Sequence, residues 1–248
     1  MWDLDNTIVD TNSVWANAQT KLLSSLFSYI GLETSGVKID EELLQLRRID
    51  YKLCQEFGTP HYDFKYLLIA LFYFYRDGIK GDELIEVTRK ADQDSIPEFT
   101  KILLKDFYKN LDKIPPLFDG ILDVLKFCNK RSYQLLISEG SKEVKEKIIK
   151  KYELPKYFNE IRVIPKGGKE NEFKGLRKRY PNLDIIVFDD LSKNIDFGNQ
   201  IHAKTVWVRF CYTINGYDIF GEKPKTRPDY TVFSVKELMR VVKSFLKL

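Results

Sequence analysis

The chain has 248 residues, 44% of them hydrophobic and 31% charged. That is an ordinary globular composition, which excludes a disordered or collagen-like chain, and the length suits one large domain or a core carrying an inserted module. The formal charge is only +4, from 40 basic and 36 acidic residues, and the Lys and Arg are dispersed. Short clusters such as Arg177–Lys178–Arg179 read as a solvated helix face, so no nucleic-acid partner is expected.

The longest apolar run, Leu67 to Tyr75, is about half of the ~20 residues that a membrane-spanning helix needs. No signal-peptide pattern is visible at the start of the chain. Cys54, Cys128 and Cys211 lie far apart, with no C-x-x-C, which fits neither a zinc cage nor a disulfide framework. Isolated buried thiols in a reducing cytosol are the expectation.

In chain order, Asp3-Leu4-Asp5-Asn6-Thr7 comes first. The stretch from about Val14 to Lys113 reads as helices: Val14–Leu32, Glu41–Phe57, Asp63–Arg76, Asp82–Lys90 and Ile96–Asn110. Breakers at Gly31, Gly36, Gly58–Thr59–Pro60, Gly78, Gly81 and Pro97 separate them. Leu67–Tyr75 is apolar nearly all round, as expected of a helix at the centre of its own bundle. Pro115–Pro116 forces an extended stretch and marks a boundary. Beyond it the pattern alternates. Helices are expected over Asp119–Lys130, Ser141–Tyr152, Lys169–Tyr180 and Val235–Leu246. Short apolar strands are expected at Tyr133–Ile137, Ile161–Ile164, Ile185–Phe188, Thr205–Val208 and Tyr230–Phe233. Such alternation means βαβ units and a doubly wound parallel sheet. The expected division is an α/β core of residues 1–12 and 115–248 and an inserted all-helical domain of residues 13–114.

Four elements carry chemistry. On a strand, Asp3 and Asp5 point to the same side; alone, D-x-D occurs often by chance. Ser138, with Glu139 and Gly140, follows an apolar strand and can offer its hydroxyl and nearby N–H groups to an anion, or simply cap a helix. Asp189 and Asp190 end a buried strand, where two charges about 4 Å apart repel by roughly 4 kcal/mol. Lys169, with Lys166 close by, stands between a strand and a helix. Each is outweighed singly by an ordinary structural role. Together they all fall at the C-terminal ends of parallel strands, where open sheets bind ligands. The crowded acids then call for a hard divalent cation, with Mg²⁺ the natural match.

In this order the motifs resemble those of the haloacid dehalogenase superfamily: WDLDNTIVD its first, LLIS its second, Lys169 in GGKENEF its third and IIVFDDLSKNID its acidic fourth. The resemblance covers the chain outside the helical insert, whose position resembles that of the family's helical C1-type cap. It implies a Mg²⁺-dependent phosphatase of a small phosphorylated metabolite, cytoplasmic, with no membrane partner and with a homodimer open. Asp3 is implied as nucleophile and Asp5 as general acid/base. Thr7, Ser138, Glu139, Gly140 and Lys169 are implied around the phosphate, and Asp3, Asp5 (through its carbonyl), Asp190 and Asp189 around the metal. Thr7 is expected to orient the nucleophile loop, and Asn194 to steady the acidic loop.

A phosphomutase would share these motifs, and a non-catalytic binding protein could share the fold. A hydrolytic dehalogenase would need neither Asp5 nor a metal. In the insert, Arg47, Arg48, Lys52, Lys65 and Arg76 read as surface cations or as readers of an anionic substrate, and His61 as a surface histidine. The sequence departs from the family pattern at Asn6, where Gly is usual, and at Glu139, where Asn is common. Only Met1 and Trp2 precede Asp3, against about five residues in an ordinary strand. Poor sheet pairing, a misplaced Asp3 and a start lying upstream are therefore expected.

Overall fold

The computed structural model describes residues 1–33, 38–57, 63–91, 98–210 and 223–246. His61 and Cys211 lie outside them. The chain divides into two compact units, Met1–Asn12 with Ile114–Leu248, and Ser13–Lys113.

The first unit is built on a parallel sheet. Its strands are β1 (Leu135–Glu139), β2 (Glu160–Ile164), β3 (Ile186–Asp189), β4 (Lys204–Val208) and β5 (Tyr230–Val232). β1 pairs with β2, β3 with β4, and β4 with β5, all parallel. The N-terminal segment joins the two groups, because Trp2 pairs in parallel with both Leu136 and Phe188. The order across the sheet is therefore β2–β1–Trp2–β3–β4–β5.

The expectation of poor pairing at Asp3 is overturned. Trp2 N–H donates to Leu135 O and Ile137 N–H to Trp2 O, both at 2.9 Å; Asp3 N–H donates to Phe188 O and Phe188 N–H to Met1 O, also at 2.9 Å. A strand flanked on both sides pairs in two directions, so three residues suffice where an edge strand would need more. The Trp2 indole stacks on the Phe188 ring at 4.0 Å and is buried, which adds packing to the ladder.

Helices α6 (Ile121–Asn129), α7 (Lys142–Lys151), α8 (Lys169–Arg179), α9 (Ser192–Gln200) and α10 (Val235–Phe245) alternate with the strands. Successive residues of a strand face opposite ways, and here they enter different cores. Leu136 and Phe188 pack with Val124 and Leu125 of α6, Ile148 of α7 and Leu238 of α10. Leu135, Ile137 and Val187 pack with Phe173 and Leu176 of α8. α9 lies close to the sheet because Gly198 has no side chain: a Cβ there would stand 2.8 Å from Thr205 Cγ2. Where the chain leaves and re-enters this unit, Asp10 N–H donates to Pro116 O and Phe118 N–H to Ile8 O, at 2.8 and 3.1 Å.

The second unit is helical, with most of α1 (Thr11–Ile30), then α2 (Ile39–Phe57), α3 (Phe64–Asp77), α4 (Gly81–Lys90) and α5 (Glu98–Leu111). α3 touches α2, α4 and α5 and buries six consecutive residues, Leu67–Phe72, as its all-round apolarity requires. Asp63 caps its first turn by accepting from Lys65 N–H at 3.0 Å. Cys54 and Cys128 are buried. Among the described residues no helix is long and apolar enough to cross a membrane.

Candidate active site

The C-terminal ends of the strands gather the acids. Asp3 follows the Trp2 ladder, Asp189 ends β3 and Asp190 follows it. A carboxylate oxygen from each lies within 4.8 Å of one from the others, and all three residues are buried.

Lys169, the first residue of α8, reaches into this group. Its Nζ donates to Asp3 Oδ1 at 2.7 Å and to Asp189 Oδ2 at 2.6 Å, and only 3% of its side chain is exposed. Burial disfavours its charge, but the carboxylates of Asp189 and Asp3 outweigh burial and hold the ammonium protonated well above the ordinary lysine range. Three carboxylates thus face one ammonium, a formal excess of two negative charges. Burial, with Asp189 and Asp5 adding and Lys169 opposing, pushes Asp3 up to about 7. Asp190 is held well above the usual carboxylate range, first by burial and then by Asp3 and Asp189. Such a set of hard oxygen donors, short of positive charge and out of water, fits a divalent cation such as Mg²⁺.

The neighbours fix each acid differently. Asp189 spends both oxygens within the protein: Oδ1 accepts from Asn194 Nδ2 at 2.9 Å and from Leu191 N–H at 3.0 Å, while Oδ2 accepts from Lys169. Asp190 Oδ2 accepts from Asn6 Nδ2 at 3.2 Å, and its carbonyl accepts from Trp207 Nε1 at 2.8 Å. Leu191 stands at the N-cap of α9. Asn6 adopts φ +53°, the left-handed region that Gly and Asn tolerate best, so an Asn in the family's glycine position keeps the turn and gains a donor to Asp190.

Asp5 is outside the carboxylate trio. Its Oδ1 accepts from Thr11 Oγ1 at 2.7 Å and its Oδ2 is ion-paired with Lys145 of α7. Lys145 passes over Gly140, whose φ is +130° and where a Cβ would stand 3.3 Å from Lys145 Cε.

Ser138 lies inside β1 and is fully buried; its Oγ and that of Thr7 have no hydrogen-bond partner among the described residues. Ser138 therefore caps no helix, and the two hydroxyls are left with hydrogen-bonding capacity that a ligand could use. The side chain of Glu139 accepts from Lys169 N–H at 3.0 Å, and the Gly140 N–H is taken by Ile164 O at 3.0 Å. Those two residues shape the loop while their polar groups serve the protein itself. Of Lys169 and its neighbour Lys166, Lys169 is the one within the acids. Lys166 is exposed, and its ammonium is disfavoured by partial desolvation and by nearby Lys145.

Asn6, Thr11, Lys145 and Trp207 were not singled out by their sequence context as partners of the acids. Only Asn6 carried a signal, as a residue able to take a left-handed turn.

No protein-family model matches the chain, and no curated protein matches it. Solved structures do. A hydrolase of the haloacid dehalogenase type, YfnB from Bacillus subtilis, solved bound to magnesium, is 16% identical; the match covers 98% of this chain and 96% of that one with a TM-score of 0.54. The fold is that of the haloacid dehalogenase-like hydrolases. A protein from Clostridium difficile described as a phosphatase shares this fold at 14% identity, 97% and 96% coverage and a TM-score of 0.53. A dehalogenase shares it at 12% identity, 97% and 94% coverage and a TM-score of 0.51.

Proposed function

We propose that the chain is a Mg²⁺-dependent phosphatase of a small phosphate monoester, working through an aspartyl-phosphate on Asp3. The observation that carries this reading is the buried group of Asp3, Asp189 and Asp190 around Lys169, with the partnerless Ser138 hydroxyl on the neighbouring strand. In this reading the sheet is the doubly wound core of the family and the helical unit is the counterpart of its cap.

Asp3 and Asp190 would hold the metal, with the Asp5 carbonyl, while Asp189 holds Lys169 and the loop. Bound Mg²⁺ would supply Lewis acidity and charge neutralisation toward the phosphoryl oxygens. A carboxylate oxygen of Asp3 forms the new bond to phosphorus, and the bond from phosphorus to the ester oxygen breaks, its electron pair leaving with that oxygen. Asp5 gives the departing alcohol its proton. It then takes a proton from the water that attacks phosphorus, which frees inorganic phosphate and restores Asp3. Thr11 and Lys145 orient Asp5 at its two oxygens, and one of these contacts yields when the carboxyl carries the proton. Lys169 and the Ser138 hydroxyl meet the phosphoryl oxygens, where negative charge gathers in the transition state.

The dehalogenase on this fold prompts a comparison of chemistry. A departing halide needs no proton and no metal, so the oriented Asp5 and the acidic trio favour phosphorus over carbon. Phosphate release from an aryl phosphate, measured with Mg²⁺ and with chelator, tests the reading. Metal-dependent release that disappears in Asp3→Asn supports it; turnover that survives that substitution excludes it.

A further inference from the structure

The helical unit carries a pocket of about 250 Å³, lined among others by Arg48, Ile49, Lys52, Phe74, Lys80 and Leu84. No residue of the Asp3 site belongs to it. Its lining joins two kinds of chemistry. Ile49 and Leu84 are buried and form an apolar floor, and Phe74 is a half-buried ring beside them. Arg48, Lys52 and Lys80 supply positive charge.

Those cations are poorly neutralised. Arg48 and Lys80 are exposed and pair with no carboxylate among the described residues. Lys52 Nζ meets Asp82 at 2.6 Å, but the Asp82 side chain is 97% exposed, and ion pairs so open to water hold weakly. The Lys80 ammonium lies 5.7 Å from the centroid of the Phe74 ring, which brings the charge and the aromatic wall to one place. The other cations noted in the insert are engaged elsewhere. Arg47 donates to Gln19, Lys65 faces Asp63, and Arg76 pairs with Asp77. Arg48 and Lys80, beside an apolar hollow, leave both charge and surface unmatched.

We propose that this pocket binds a small aromatic carboxylate, with its ring on Phe74, Ile49 and Leu84 and its anionic group toward Arg48 and Lys80. The apolar floor disfavours a bare inorganic anion, which would lose hydration there without a partner. The rim disfavours a neutral hydrocarbon, which would leave the cations as they are. The volume sits just below the roughly 300–1,000 Å³ of sites for drug-sized ligands, so the ligand is small.

Calorimetric titration of the full chain with naphthoate, and with naphthamide as the uncharged control, tests this. Mg²⁺ and excess inorganic phosphate are kept present so that a phosphate site at Asp3 is occupied. Naphthoate is expected to bind saturably with one site per chain, about tenfold tighter than naphthamide. The double variant Arg48→Gln with Lys80→Gln, both at exposed positions, is expected to bring naphthoate down to the naphthamide level. Equal affinity for the two probes, unchanged affinity in the double variant, or no saturation at millimolar naphthoate would each overturn the proposal.

Discussion

Lys169 and Asp3 lie 166 positions apart in the chain, and their side chains meet at 2.7 Å with both nearly excluded from water. The same ammonium reaches Asp189 at 2.6 Å. One cation therefore holds together acids from two strand ends, and the consequences are measurable.

Lys169→Met should be strongly destabilising without metal, by about 3–5 kcal/mol, because it leaves buried carboxylates uncompensated. Mg²⁺ should restore part of that loss by supplying positive charge to the same oxygens. Urea unfolding with chelator and with Mg²⁺ measures both numbers. A variant as stable as the parent in chelator would contradict the role given to Lys169.

The raised Asp3 carboxyl sets a pH dependence. Its ordinary value is 3.8 and its folded value about 7, so between these the folded chain keeps a proton that the unfolded chain gives up. This contribution to stability is fully present below about pH 4 and is lost as pH rises through about 7. In the proposed site Mg²⁺ would compete with that proton, so its stabilising effect should be larger at pH 8 than at pH 5. Thermal unfolding at both values, with and without Mg²⁺, decides; a metal effect independent of pH would count against carboxylate ligation.

Ser138→Ala should separate activity from stability. The hydroxyl is buried and has no partner among the described residues, so its removal should cost little or stabilise slightly. Phosphate release should fall by about 10- to 100-fold, because one donor to the phosphoryl oxygens is gone. Paired measurements of the unfolding midpoint and kcat test this. A large loss of stability would make Ser138 a packing residue.

Gly198→Ala should reverse the usual sign of such a change in a helix, where alanine gains about 1 kcal/mol. Here the new Cβ would stand 2.8 Å from Thr205 Cγ2 and 3.2 Å from Val187 Cγ2. Overpacking of this kind costs about 1–3 kcal/mol. Urea unfolding should show the loss, and a stabilised variant would show that α9 has room to move.

Ser138 and the Asp189–Asp190 pair were legible because each ends a short apolar run, and parallel strands bring such ends to one edge; Asp3, behind only Met1 and Trp2, and Lys169, at the start of α8, were legible only in company with them. The helices of the insert were legible from apolar spacing and from breakers, with ends shifted by a few residues. β1 was expected at Tyr133–Ile137 and lies at Leu135–Glu139, since Tyr133 has the propensity of a strand residue but is exposed. α9 was not read as a helix, because Asn194, Asp196 and Gly198 weaken its pattern and its burial depends on the sheet. The pairing of Met1–Asp3 was misjudged by applying a length rule to a segment that gains partners on both sides. The bonds of Lys145 to Asp5 and of Trp207 to Asp190 are tertiary facts, and no local spacing announces them.

In the proposed reaction Asp3 bonds to phosphorus. Rapid acid quenching of the chain during turnover of a phosphate monoester with Mg²⁺, followed by peptide mapping by mass spectrometry, tests it directly. A phosphoryl group on the peptide containing Asp3, absent in Asp3→Asn, is the predicted result. Turnover with the group on another residue, or undiminished in Asp3→Asn, would contradict it.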